Sequence, residues 1–127
     1  VVDDQKGSPT YAGHLAIGLH AIVNSVVENT EFAQWGTFHL TNSGETTWYD
    51  FATEIFRQAA QYRYSAPSLS TIPSSAFPAL AERPAYSVLD NRTFAKTFGY
   101  VMPDWQSGVS DCLSILFAKR QRTKEGI

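Results

Sequence analysis

The chain has 127 residues, 43% of them hydrophobic and 17% charged, with a formal net charge of −2. These values fit one globular domain, and the scattered basic residues exclude a protein that holds nucleic acid through its phosphates. The single cysteine, Cys112, excludes an intramolecular disulfide and a thiolate zinc site, and no apolar run approaches the roughly 20 residues of a membrane helix.

The first predicted element is an amphipathic helix of about four turns. Its apolar residues recur at three- and four-residue steps: Ala12, Leu15, Ala16, Leu19, Ile22, Val23 and Val26. Gly13 and Gly18 each weaken the helix by about 1 kcal/mol, or allow close packing against a neighbour. His14 and His20 fall outside the apolar stripe, so we predict that both imidazoles face solvent.

A strand and a second helix are predicted next. Residues 36–41, with the sequence GTFHLT, alternate between apolar and polar, which is typical of a strand and directs His39 outward. Thr47 and Asp50 fit a capping box at the start of a helix. The apolar face of that helix, which we assign to the core, comprises Trp48, Phe51, Ala52, Ile55, Phe56 and Ala59.

The second half of the chain is predicted to be partly extended and partly helical. Residues 65–86 contain four of the six prolines, which exclude a long helix. We predict a short strand around residues 69–72, and then an extended segment whose Leu80 packs along the domain. Two helices follow: one ends at Gly99, and one begins near Asp104 and buries Trp105, Val109, Cys112, Leu113 and Leu116.

Several catalytic signatures are absent from the sequence. It contains no Gly-x-Gly-x-x-Gly, no Tyr-x-x-x-Lys, no nucleophile elbow beside a histidine and no histidine pair with metal-ligand spacing. The residues by themselves therefore predict a chain with no catalytic, cofactor or metal site. The start at Val-Val without a secretory signal leads us to expect a piece of a longer cytoplasmic protein.

Three stretches in order resemble one enzyme family over nearly the whole chain. They are VVDDQKGSPTYA at residues 1–12, GTFHLTNSGETTWYDFATEIF at 36–56 and RPAYSVLDNRTFAKTFG at 83–99, with MPDW following at 102–105. Together they are similar to the C-terminal part of dTDP-4-dehydrorhamnose reductases, which are extended short-chain dehydrogenase/reductases. The resemblance implies an α/β fold, mostly helical with a few short strands, and a single C-terminal substrate-binding domain over residues 1–127.

The resemblance also implies the chemistry of the whole enzyme. An N-terminal Rossmann domain, absent from this chain, would bind NADPH and supply the catalytic residues. The enzyme would reduce dTDP-4-keto-L-rhamnose to dTDP-L-rhamnose for cell-surface polysaccharides such as lipopolysaccharide, and would act as a homo-oligomer. Magnesium has been linked with the family, but no carboxylate cluster in this sequence provides a site for it. The chain alone is predicted to be inactive.

Three residues are the predicted substrate contacts. Arg83 is the best candidate for the pyrophosphate, because a nucleoside diphosphate needs a guanidinium or oriented amides and Pro84 biases Arg83 toward an extended conformation. The alternative is a surface arginine paired with Glu82. Gln5 suits a sugar hydroxyl or base edge, or else belongs to a turn that bonds its own backbone. Tyr86 would stack on thymine or bond a phosphate, or simply pack on the surface.

Two other functional classes stay open at this point. The same scaffold occurs in a non-catalytic regulatory subunit related to the methionine adenosyltransferase beta subunit, and a free-standing α/β interaction module is the third possibility. A fragment would leave an unpaired strand edge and exposed apolar helix faces. We therefore expect self-association.

Overall fold

The computed structural model describes residues 1–78 and 81–125 of the chain. Four α-helices and two strands of two residues each form the described part, and 3-10 turns lie at Ala60–Tyr62 and Ser74–Ala76. This organisation confirms the prediction of a mostly helical chain with a few short strands. The elements in chain order are β1 (Lys6–Gly7), α1 (Ala12–Glu28), β2 (Thr46–Thr47), α2 (Trp48–Ala59), α3 (Arg92–Phe98) and α4 (Trp105–Glu125).

The main core lies between α2 and α4. Its buried members are Ala59 of α2 and Trp105, Val109 and Leu113 of α4, and the partly buried Phe51, Ile55, Tyr62 and Phe117 pack against them. Thr47 caps α2, because its Oγ1 accepts the N–H of Asp50 at 3.0 Å, as the capping-box pattern predicted. At the other helix, Asp104 accepts the N–H of Ser107 at 2.7 Å and so satisfies a free donor in the first turn of α4.

Two residues assigned to these apolar stripes are not buried. Trp48 is 49% exposed and Leu116 is 56% exposed, so the prediction that they belong to the core was wrong. Trp48 is the first residue of α2, whereas Ala59, which is buried in the core, is its last. Cys112 is half-buried and so sits at the edge of the core.

A second apolar cluster lies around α3. Phe94 is 1% exposed, and its ring centroid is 4.9 Å from that of Phe98 and 6.5 Å from that of Phe38. Gly99 ends α3 in the left-handed conformation with φ of 66°, as predicted. This cluster holds the segment that contains Phe38 against the helix.

Residues 36–41 do not form the predicted strand. The segment has no partner strand, and its apolar side chains pack onto helices instead. The side chain of Asn91 takes the place of a strand ladder: its Oδ1 accepts the N–H of Thr41 at 3.1 Å, and its Nδ2 donates to the carbonyl oxygen of Thr41 at 2.6 Å. The strand predicted at residues 69–72 is likewise reduced to one parallel bridge between Ile72 and Val2. Leu80 lies outside the described residues.

Helix α1 shows one confirmed and one wrong prediction. A Cβ on Gly18 would lie 2.7 Å from Leu40 Cδ2, so glycine allows the close packing suggested by the sequence. His20 is exposed, but His14 is only 6% exposed and the prediction of a solvent-facing ring was wrong. Polar partners explain its burial, since His14 Nε2 lies 2.8 Å from Asp111 Oδ2.

Asn42 completes this buried polar network. Its side chain is fully buried, and its Oδ1 accepts the N–H of Tyr11 at 2.8 Å. That contact fixes the amide orientation, so Nδ2 donates to His14 Nδ1 at 2.8 Å and to the carbonyl oxygen of Pro103 at 2.8 Å. The arrangement fits a neutral imidazole that carries its proton on Nε2 and donates it to Asp111. The network therefore ties α1, residue 42 and the start of α4 together.

Parts of the surface remain apolar. The outer side of α1 exposes four large side chains by more than half: Ile17, Leu19, Val23 and Val27. None of the helices in the described part of the chain combines the length and the apolar character needed to cross a membrane.

Candidate functional site

Three segments that are distant in sequence meet in a small sheet-like arrangement. β1 pairs with β2 in antiparallel register, Lys6 opposite Thr47 and Gly7 opposite Thr46. On its other side β1 pairs with residues 85–87, because Lys6 donates its N–H to the carbonyl oxygen of Ala85 at 2.8 Å and accepts the N–H of Ser87 at 2.9 Å. β1 is therefore the central segment, and the positions of its two neighbours depend on it.

Each of the three segments contributes a side chain to one place. Gln5 immediately precedes β1, Trp48 immediately follows β2, and Arg83 lies two residues before Ala85. These residues line both a large cavity of about 1260 Å³ and a small cavity of about 310 Å³. We call the residues common to both cavities the shared wall: Gln5, Trp48, Arg83 and Pro84.

The large cavity is closed on one side by the segment around the second 3-10 turn. Asp4 holds this turn: its carboxylate accepts the backbone N–H of Ser74 at 3.0 Å and the Ser74 hydroxyl at 2.9 Å. The bond from the Ser74 backbone N–H is the largest cause of the lowered pKa of Asp4. Phe77, which is 52% exposed, follows the turn and lines the same cavity.

A polar clasp lies beside the small cavity. Glu45 accepts a hydrogen bond from the Lys6 ammonium on Oε1 and another from the Tyr86 hydroxyl on Oε2, both at 2.8 Å. The hydrogen bond from Lys6, followed by that from Tyr86, lowers the pKa of Glu45, and the bond to Glu45 raises the pKa of Tyr86. The clasp joins side chains from the three segments whose backbones meet at β1.

The structure thus brings two of the three predicted contacts together. Gln5 and Arg83 share a wall, whereas Tyr86 lines neither cavity and directs its hydroxyl at Glu45. Within the described part of the chain, Arg83 forms no ion pair or hydrogen bond, including with Glu82. An arginine without a protein partner on a cavity wall remains available to an anion.

Trp48 is the residue that the sequence reasoning missed. Its place on the apolar stripe of α2 suggested the core, but it is the first helical residue and is about half exposed. The signal that could have identified it is its position directly after the cap Thr47. A bulky aromatic residue there lies at the helix end, where the neighbouring loops form the cavities.

The described residues offer neither a metal centre nor a dinucleotide cradle. No group of three or more His, Cys, Asp or Glu side chains in that part of the chain is arranged to hold a metal ion. The sheet consists of two strands of two residues each, without a parallel strand followed by a glycine-rich turn into a helix. The described residues therefore contain no Rossmann-type cradle for a dinucleotide.

Comparison with known proteins assigns the family. The RmlD substrate binding domain matches residues 1–117. The chain belongs to the RmlD substrate-binding domain family. A relative from Escherichia coli (strain K12), named dTDP-4-dehydrorhamnose reductase, is 38% identical over 119 residues, which are 92% of this chain and 39% of the relative. The chain therefore spans about two fifths of that relative's length.

Solved structures agree with this family. The dTDP-4-dehydrorhamnose reductase ortholog from Clostridium acetobutylicum has a TM-score of 0.71 and 34% identity, with 91% of this chain and 38% of that chain covered. The reductase from Bacillus anthracis, solved in complex with NADP, has a TM-score of 0.69 and 30% identity, with coverages of 91% and 37%. The fold of this chain is thus that of part of a larger reductase, and NADP binding is a property of the Bacillus protein.

Proposed function

We propose that this chain is the substrate-binding part of a dTDP-4-dehydrorhamnose reductase. The whole enzyme would reduce dTDP-4-keto-L-rhamnose to dTDP-L-rhamnose in the cytoplasm, with NADPH as reductant. Support comes from the family match over residues 1–117 and from relatives that carry this name. Residues 1–127 would act as a single domain, and a preceding domain would hold NADPH and the catalytic residues; the lack of a dinucleotide cradle among the described residues supports this.

The single observation that carries the proposal is Arg83 on the shared wall. Its guanidinium has no protein partner among the described residues and lines both cavities beside Gln5. A diphosphate presents adjacent anionic oxygens that the planar guanidinium fork can bind two at a time. Gln5 would then bond a hydroxyl of the sugar or an edge of the base with its amide. Tyr86 would hold the segment carrying Arg83 through Glu45, in place of the direct contact predicted from the sequence.

A calorimetric titration tests this function. The chain should release or absorb heat with dTDP and show no binding of NADPH. Replacing Arg83 by Gln should weaken dTDP binding roughly 10- to 100-fold, because a hydrogen bond to a charged group is worth about 1.5–3 kcal/mol. Arg83→Lys should recover only part of this loss, since a point charge cannot bind the diphosphate as a fork.

Arg57→Gln is the matched control. It also removes one exposed positive charge, but Arg57 is paired with Glu54 on α2 and lies outside the shared wall. Its dTDP affinity should equal that of the wild type. Equal affinity of the Arg83→Gln variant, or oxidation of NADPH by the isolated chain, would overturn the proposal. A regulatory subunit or an interaction module would instead show no dTDP binding.

We also propose that the chain self-associates as part of a homo-oligomer. The four large apolar side chains that α1 exposes support this, since exposed apolar surface is unfavourable in water. Sedimentation should show a mass that rises with concentration. A monomer at high concentration would contradict the proposal.

A further inference from the structure

Trp48 is far more exposed than the tryptophan of the neighbouring helix. It is 49% exposed, whereas Trp105 in the neighbouring helix is 7% exposed. The Trp48 ring meets the Phe51 ring edge-on, with a centroid distance of 6.3 Å and an interplanar angle of 65°. Part of a large apolar ring is therefore left facing the cavities, an arrangement that costs free energy unless something covers it.

The backbone beneath Trp48 is held firmly from three sides. Thr47 precedes it in β2 and pairs with Lys6. The next residue, Tyr49, donates its N–H to the carbonyl oxygen of Val2 at 3.0 Å. The cap bond from the N–H of Asp50 to Thr47 Oγ1 fixes the first turn. A ring on such a support loses little conformational entropy when a flat ligand covers it.

The neighbours of Trp48 match the parts of a nucleotide. Arg83 and Gln5 on the shared wall supply a charge for a diphosphate and an amide for a polar edge. The nucleobase is the remaining part, and flat bases bind by stacking on aromatic rings. The linings of the two cavities contain two aromatic residues, Trp48 and Phe77, and of these only Trp48 belongs to the shared wall.

We propose that Trp48 is the stacking surface for the thymine base of the sugar nucleotide, with Arg83 at the diphosphate. This inference rests on the proposed function and adds a specificity-determining residue to it. Trp48 is preferred over Phe77 because it lies on a capped helix and lines both cavities. Phe77 follows a three-residue 3-10 turn and lines the large cavity but not the small one. The tryptophan ring also offers the larger flat area.

The test separates base binding from diphosphate binding. Calorimetry with dTDP and with inorganic pyrophosphate is carried out on the wild type, Trp48→Leu, Trp48→Phe and Phe77→Leu. Trp48→Leu keeps an apolar side chain but removes the flat ring, and should weaken dTDP binding roughly 5- to 100-fold. Trp48→Phe should keep most of the affinity. Pyrophosphate affinity should be unchanged in every one of these variants, because that ligand has no base.

Trp35→Leu is the matched control, since Trp35 is 71% exposed and lies outside both cavity linings. It should bind dTDP like the wild type, and its emission should still be quenched by dTDP. The quenching should disappear in Trp48→Leu, which retains Trp35 and the buried Trp105. The fluorescence result does not depend on how stable the variant is, provided that circular dichroism shows it folded.

The outcomes distinguish this inference from the function beneath it. Unchanged dTDP affinity in Trp48→Leu, or a loss confined to Phe77→Leu, overturns the role of Trp48 while dTDP binding and its dependence on Arg83 remain. Failure of the wild type to bind dTDP overturns the proposed function as well. An equal loss of dTDP and pyrophosphate binding in Trp48→Leu shows that the ring supports Arg83 rather than a base, and also overturns the inference.

Discussion

Replacing Asn42 by Ala should strongly destabilise the fold. Asn42 is completely buried and its side chain satisfies the N–H of Tyr11, His14 Nδ1 and the carbonyl oxygen of Pro103, each at 2.8 Å. Alanine leaves all three groups without that partner. A buried polar group left unsatisfied costs about 1–3 kcal/mol. Because Tyr11 and Pro103 are only half-buried, we assign each of their groups the lower end of that range and assign His14 the full range. The free energy of unfolding should therefore fall by about 3–5 kcal/mol in total.

Urea unfolding followed by circular dichroism measures this loss. The urea concentration at the midpoint should fall. The slope of the free energy of unfolding against urea concentration should stay constant, since unfolding exposes a similar area of surface in the wild type and in the variant. Asn24→Ala is the control, because Asn24 is exposed on α1 and, among the described residues, its side chain bonds the exposed His20 alone. That change should stay within about 0.5 kcal/mol. If Asn42→Ala lost less than about 1 kcal/mol, the claim that this network ties the helices together would be refuted.

Two further predictions follow from local geometry. Gly99→Ala should lower the free energy of unfolding by about 1 kcal/mol, because the φ of 66° at this position is unfavourable for a residue with a Cβ. Steric contact would not be the cause, since the added Cβ meets no atom within 4 Å. Gly36→Ala, at an exposed position, should be neutral in the same urea assay. Asp90 carries a pKa of about 2, against an ordinary 3.8, chiefly because of its hydrogen bonds with Arg92, and Arg92→Gln should return it toward 3.8 in a carboxyl NMR titration. Since this pKa is depressed in the folded state, the pair stabilises the fold above pH 3.8 and loses its effect as the pH falls through about 2. An Asp90 pKa that stays near 2 in the Arg92→Gln variant would contradict the assignment to Arg92.

The helices could be read from the sequence because their signals are local. The period of the apolar residues and the cap at Thr47 depend on neighbours within four positions, and the structure confirms both. The strand expected at residues 36–41 failed because alternation shows only that one face is apolar. It does not specify whether a strand or the side chain of Asn91 meets the backbone, and Asn91 is 50 residues away from Thr41.

Distance along the chain also explains the other errors. His14 is buried by Asn42, 28 positions away, and by Asp111, 97 positions away, and a helical stripe carries no information on either. For the candidate site, the resemblance directed attention to Gln5 and Arg83, and the structure places both on the shared wall. Trp48 was missed because its helix could be predicted but the cavities beside it, which residues distant in sequence form, could not. The partner of Tyr86, Glu45, lies 41 residues earlier and could not be predicted either, and the contact of Tyr86 with substrate stays a prediction.

The seven N-terminal residues have a consequence for how the molecule folds. Val2 bridges Ile72, and Lys6 bridges Tyr86, so the walls of both cavities are closed by contacts between residues 70 to 80 positions apart. Forming such contacts requires the intervening chain to be brought into a loop, with an entropic cost that local helix formation does not carry. We therefore expect the cavities to assemble last during refolding, after the helical pairs, and to open first when the native state fluctuates.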